Sequence, residues 1–90
     1  MLLHYVYILF SKKDKHLYIG YTENLRARLK RHQNGFVRAT KYRQPLKLIY
    51  YECYLSRLDA KRREKFLKGG KGRKELKIQL KDIFDKLEYN

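Results

Sequence analysis

The order of apolar patterns in this 90-residue sequence predicts a single α+β domain with the elements β-β-α-β-α-α. Three of the patterns are strand-like and the clearest of the rest is helical. Residues 4–10 are apolar on both alternating faces apart from His4, and Leu17–Tyr21 follows after a polar cluster, so the two runs read as a hairpin. A third run, Leu46 to Tyr54, begins just after Pro45. At the other end of the chain, Leu76, Leu80, Ile83, Phe84 and Leu87 fall at i, i+4, i+7, i+8 and i+11, one stripe on a helix.

The elements follow in order. The first strand is expected to be covered on both sides, because neither face carries a regular set of polar residues. Thr22 or Asn24 can cap the first helix, whose Leu25 and Leu29 share a face, and Asn34-Gly35 suits a left-handed exit. Residues 36–44 read as a basic loop. Ser56 with Asp59 resembles a capping box for a second helix carrying Leu58, Phe66 and Leu67, which the Gly69-Gly70-Lys71-Gly72 stretch should end. That stretch lacks the spacing of a phosphate-binding Walker loop and reads as a helix break with phosphate-touching lysines.

Charge narrows the function. Lys and Arg number 23 against 9 Asp and Glu, a net charge of +14, far beyond what solubility needs. Such a field selects polyanions, nucleic acid first, with acidic protein as a competing partner. Between residues 57 and 81 there are 11 Lys and Arg against 3 Asp and Glu, so binding should be mostly electrostatic and salt-sensitive. No stretch reaches the roughly 20 apolar residues of a membrane span, so no membrane partner is expected. The apolar N-terminus lacks the charges and cleavage site of a secretory leader. Cys53 alone permits no internal disulfide and reads as a small core residue, and a cytoplasmic location fits.

Side-chain directions then gather the candidate chemistry. Tyr7 and Tyr18 can meet across the hairpin, with Gly20 allowing a backbone or ligand to approach closely. Arg28 and His32 lie one turn apart on the first helix. On the second helix Ala60, Glu64 and Leu67 share a side, placing Glu64 at the edge of the apolar stripe. Asp59 and Glu75, by contrast, sit near helix starts, where capping explains them. Two tyrosines, an arginine, a histidine and one carboxylate suit phosphodiester cleavage. Arginine forks onto phosphoryl oxygens, the carboxylate holds a divalent metal, and a phenolate favoured by nearby cations takes a proton. Taken singly, each has a plainer reading: sheet-forming tyrosines, solvated Arg28 and His32, and Glu64 paired with Lys61 or Lys68.

The combination resembles the GIY-YIG nuclease family. Tyr5-Val6-Tyr7 and Leu17-Tyr18-Ile19-Gly20 stand at its paired motif, Thr22 to His32 at its first helix, and Ala60-Lys61-Arg62-Arg63-Glu64 at the helix of its metal-binding glutamate. The likeness spans about residues 4–80 and is nearest to the small stand-alone branch related to the nuclease domain of the excision-repair incision subunit. It implies a three-stranded antiparallel sheet flanked by three helices and metal-dependent endonucleolytic cleavage of DNA, with RNA as the alternative substrate. Tyr7, Tyr18, Arg28, His32 and Glu64 would be the catalytic set, with one Mg²⁺ or Mn²⁺ on Glu64. Candidate phosphate contacts are Arg26, Lys30, Arg31, Lys68, Lys71, Arg73 and Lys74. Two departures stand out: the glycine of the first motif is Tyr5, and an asparagine found near the start of the family's last helix has no counterpart. No added recognition helix or zinc module resembles a sequence reader, so little specificity is expected. The competing expectation is a basic binding module on the same fold, without useful turnover.

Overall fold

The computed structural model describes residues 2–89. The chain forms β1 (His4–Ser11), β2 (Leu17–Thr22), α1 (Leu25–Gln33), β3 (Leu46–Tyr54), α2 (Arg57–Lys68), α3 (Gly70–Gln79) and α4 (Lys81–Lys86). The three strands make one antiparallel sheet in the order β2-β1-β3. The α+β class and the sheet match expectation, while the helices number four instead of three.

β1 is central because both its faces are apolar, so neither can be left to water. Val6, Ile8 and Phe10 point to one face and join Leu17, Ile19, Ala60, Leu67, Leu76 and Phe84 in the main core beneath α2, α3 and α4. Each fully buried aliphatic side chain there contributes about 1.5–3 kcal/mol. Tyr7 and Leu9 point to the opposite face and are equally buried. The β1–β3 ladder shifts register after Ile8, which pairs with Tyr50 while Leu9 pairs with Leu48, so Ile49 is the extra residue of a bulge.

Capping sets the helix starts. Asn24 Oδ1 accepts from the Ala27 amide at 3.1 Å, and Ser56 Oγ accepts from Asp59 at 3.4 Å. Gly35, at φ +76, makes the left-handed exit from α1. The Gly69–Gly72 expectation needs correcting. Gly69 alone, in extended conformation, separates α2 from α3, and the helix resumes at Gly70. Gly72 lies inside α3, where any Cβ would collide with the backbone of Phe66 and Leu67. It is a packing glycine that lets α3 approach the end of α2.

The last apolar stripe is real but bent. Leu80 (φ −110, ψ 29) divides α3 from α4, although the Leu80-to-Leu76 and Phe84-to-Leu80 backbone bonds persist. Three other expectations fail. Leu58 is 68% exposed and Phe66 39%, because the buried side of α2 is the Ala60–Glu64–Leu67 side. Cys53 is exposed, since it faces the sheet side that α2–α4 do not cover.

Candidate active site

Tyr7 stands at the middle of β1, paired with Gly20 on β2 and Tyr51 on β3. Its ring lies across Gly20: a Cβ built there would be 2.5 Å from both Cζ and Oη of Tyr7. The close approach expected of Gly20 is therefore made by the tyrosine ring, not by a second backbone or a ligand. The ring centroid of Tyr18 is 6.2 Å from that of Tyr7, so the hairpin brings the two tyrosines together.

His32, on the last turn of α1, is wholly buried and completes the cluster. Its Nε2 is 2.7 Å from Tyr7 Oη, and its Nδ1 is 2.7 Å from Thr40 Oγ1. The Tyr18 ring lies edge-on to it at 5.1 Å. A neutral imidazole donates from one nitrogen and accepts at the other, so a proton path runs Thr40–His32–Tyr7 in either sense. The loop after α1 makes this possible. Gln44 Nε2 donates to the His32 and Gln33 carbonyls, Ser11 Oγ donates to the Arg43 carbonyl, and Arg43 pairs with Asp14 at 2.6 Å. These ties hold Thr40, itself wholly buried, against the ring. Sequence reasoning passed over Thr40, which lies eight residues beyond His32 in what reads only as a basic loop.

Burial decides the protonation states. The Tyr7 phenol is pushed well above its ordinary value, by loss of water first and then by Tyr18, and Arg28 only partly opposes this. Tyr7 is thus a phenol at neutrality, which overturns the expected cation-favoured phenolate. His32 is held down to about 4, by burial and then by the charge of Arg28, so its ring is neutral.

Glu64 is buried on α2 beside the core residues Ala60 and Leu67, and its charge is the weakest of the influences that raise Tyr7. Both its oxygens are engaged: Lys61 Nζ is 3.1 Å from Oε1 and Lys68 Nζ is 3.1 Å from Oε2. The plain pairing and the site position therefore coexist. Arg28 acts on both Tyr7 and His32 and lines a recess of 400 Å³ with Thr22, Asn24 and Arg57. Tyr7, Tyr18 and His32 are thus in mutual contact, with the charge of Arg28 acting on Tyr7 and His32, while the contacts of Glu64 are with Lys61 and Lys68.

The candidate phosphate contacts divide. Arg26 and Lys30 line a groove beside α1, and Arg31 donates to the Phe36 carbonyl. Lys68 is spent on Glu64. Lys71 and Lys74 are exposed on α3, which packs on α2 and α4, whereas Arg73 is half-buried there. The Arg73 Nε is buried without a partner among the described residues. Glu75 is not a cap; it accepts from Arg63 at 3.1 Å. Arg63 also grips Glu52, which takes the Tyr50 and Tyr54 hydroxyls at 2.7 and 2.6 Å. Burial works to raise the Glu52 carboxyl, yet the bonds from Arg63, Tyr54 and Tyr50 together hold it below its ordinary value. This network fastens α2 and α3 to β3 on the sheet face opposite Tyr7. Sequence reading missed it because its members are spread from Tyr50 to Glu75.

Among the described residues, no helix is long and apolar enough to cross a membrane. Residues 3–77 match the family model of the GIY-YIG catalytic domain. A UPF0213 protein of Staphylococcus haemolyticus is 42% identical over 79 residues, covering 87% of this chain and 95% of the relative. Another, from Clostridium perfringens, is 43% identical over 67 residues, 73% of this chain and 71% of its own. The solution NMR structure of a UPF0213 protein from Bacillus halodurans superposes with a TM-score of 0.56 at 35% identity, covering 89% of this chain and 86% of that one.

Proposed function

Because the chain belongs to the GIY-YIG family, a family of nucleases, we propose that it hydrolyses phosphodiester bonds in DNA as a metal-dependent endonuclease with little sequence specificity. The observation that carries this reading is the buried Thr40–His32–Tyr7 hydrogen-bond chain, on which the charge of Arg28 acts. A structural tyrosine needs one partner; this one is wired to a neutral imidazole that can still take a proton.

The proton states indicate how the residues would work. In the tautomer with Nδ1–H directed at Thr40, Tyr7 donates to His32 Nε2. As water attacks phosphorus, Tyr7 Oη accepts the water proton while its own proton passes to Nε2. The base is then the pair, not a free phenolate. The imidazolium is disfavoured in the free protein, but the charge of a bound phosphate offsets that of Arg28 and raises the proton affinity of the ring. Arg28 would meet the phosphoryl oxygens and gain strength as charge accumulates there. Tyr18 packs against both His32 and Tyr7 and holds their geometry.

The donor set fits one hard cation. The described residues hold no group of three or more His, Cys, Asp or Glu that could bind a metal, so Glu64 would be its one protein carboxylate. Mg²⁺ commonly binds in this way, keeping several waters alongside one carboxylate and substrate phosphate, and Mn²⁺ takes the same hard oxygen ligands. Bound there, the ion would supply Lewis-acid stabilisation of the phosphate and the leaving oxygen. Lys61 and Lys68 now hold the carboxylate in its place and would have to yield.

That double ion pair favours a second reading, a nucleic-acid-binding module in which Glu64 is only a structural partner. Incubation of supercoiled plasmid with the protein and Mg²⁺ or Mn²⁺, against a chelator control, separates the two. Nicking that needs the metal is the expected result. Chelator-insensitive binding with no nicking would establish the second reading.

A further inference from the structure

α1 does not close onto the sheet along its whole length. Between its outer turns and the β1–β3 strands lies a groove of 620 Å³, its floor made by Tyr5 and Tyr51 and its wall by Leu25, Leu29, Arg26 and Lys30. The two tyrosine rings are 6.1 Å apart and tilted by 60°, and Tyr51 is 52% exposed. Leu25 and Leu29, which share a face of α1, are only half-buried, so the groove is built and open. Glu23 and Asn24 stand among its lining residues, offering hydrogen-bond acceptors.

We infer that this groove takes an unpaired nucleobase of the substrate strand, stacked on Tyr51 and Tyr5, with flanking phosphates on Arg26 and Lys30. The inference rests on the nucleic-acid reading of the neighbouring site and adds to it a substrate class, DNA that presents single-stranded bases. Three features support it. Aromatic faces on a sheet, flanked by cations, are how single strands are held without sequence readout. The bases of an intact duplex are stacked on one another and offer no free face to such a floor. Position also fits: Tyr5 lies two residues from Tyr7 on one face of β1, and Tyr7 pairs directly with Tyr51. Two residues of strand span about 6.6 Å, short enough for one stretch of substrate strand to reach both places. A base in the groove would thus leave a neighbouring phosphate at Tyr7 and Arg28. Tyr5 replaces the small residue of the paired motif, and here its ring forms part of the floor.

The test uses binding in chelator, so it does not depend on cleavage. Affinity is measured for a 12-mer of oligothymidine, an abasic 12-mer of the same charge, and a 12-base-pair duplex. The expected result is preference for the base-bearing single strand over the abasic one. Tyr51→Ala should abolish that preference, weakening oligothymidine by about 5- to 150-fold while leaving the abasic oligomer and the duplex unchanged. Tyr51→Phe should restore it, and Tyr51 is exposed enough for both variants to fold. Equal affinity for oligothymidine and the abasic oligomer would overturn the stacking site but leave nucleic-acid binding standing. Failure to bind any of the three would overturn both. A Tyr51→Ala variant that loses duplex and single strand alike would also end the inference.

Discussion

Replacing Gly20 by alanine tests whether the Tyr7–His32 contact is built by packing. The added methyl would sit 2.5 Å from Tyr7 Cζ and Oη and 2.9 Å from Cε1. Ordinary carbon contacts lie at about 3.5–4.0 Å, so the ring or β2 must move by roughly 1 Å. The ring has nowhere easy to go: it is 1% exposed, bonded to His32 at 2.7 Å and flanked by the rings of Tyr18 and His32. A 1 Å displacement away from His32 takes Oη beyond about 3.5 Å, where the bond no longer counts as one. Overpacking costs about 1–3 kcal/mol, and the lost buried bond about 0.5–1.5 kcal/mol more. At about 4–8 °C per kcal/mol for a domain of this size, the melting temperature should fall by roughly 10–30 °C. Plasmid nicking, assayed at a temperature where both proteins are folded, should drop by about 10²–10⁴, the usual contribution of positioned proton transfer. DNA binding in chelator should stay within about threefold, because the charges that attract phosphate are untouched. A Gly20→Ala protein that melts within 2 °C of the parent and nicks at the parental rate would refute the reasoning.

Three further outcomes follow from the same geometry. Unfolded His32 takes up a proton below about 6.5, but the folded ring resists until about 4, so the unfolded state binds more protons between these values. Stability should therefore fall as pH drops from 6.5 to 4, by on the order of 2–3 kcal/mol from this residue. His32→Gln should flatten the melting-temperature profile across that window, and an unchanged slope would contradict the assignment. Glu64→Gln should abolish metal-dependent nicking while leaving binding in chelator equal or slightly tighter. Its stability should change by less than about 1 kcal/mol, since Lys61 and Lys68 are both half-exposed. Parental nicking by the folded variant would remove Glu64 from the metal site. Glu52→Ala strips Arg63, Tyr50 and Tyr54 of their shared acceptor and should cost roughly 3 kcal/mol in urea unfolding, with nicking per folded molecule unchanged. A loss below 1 kcal/mol would mean that water replaces the carboxylate at little cost.

What the sequence determined by itself was the fold class and the order of the strands and first two helices. Period-two and helical apolar patterns are local, so β1, β2, α1, β3 and α2 can be read directly from residue spacing. The candidate set of Tyr7, Tyr18, Arg28, His32 and Glu64 came from the order of the motif blocks along the chain, since each residue taken singly has a plainer reading. Only the tertiary structure decided what surrounds them. Whether Leu58 or Leu67 is buried depends on how α2 rolls on the sheet, and the exposure of Cys53 depends on how far α1 covers its side of the sheet. Gly72 reads as a breaker in one dimension and as a contact between α2 and α3 in three. The largest revision concerned Tyr7. Nearby cations argued for a phenolate, but burial together with Tyr18 outweighs Arg28 there. Thr40 was invisible for the same reason: its importance is a 2.7 Å distance to His32 that a folded loop creates and no local pattern encodes.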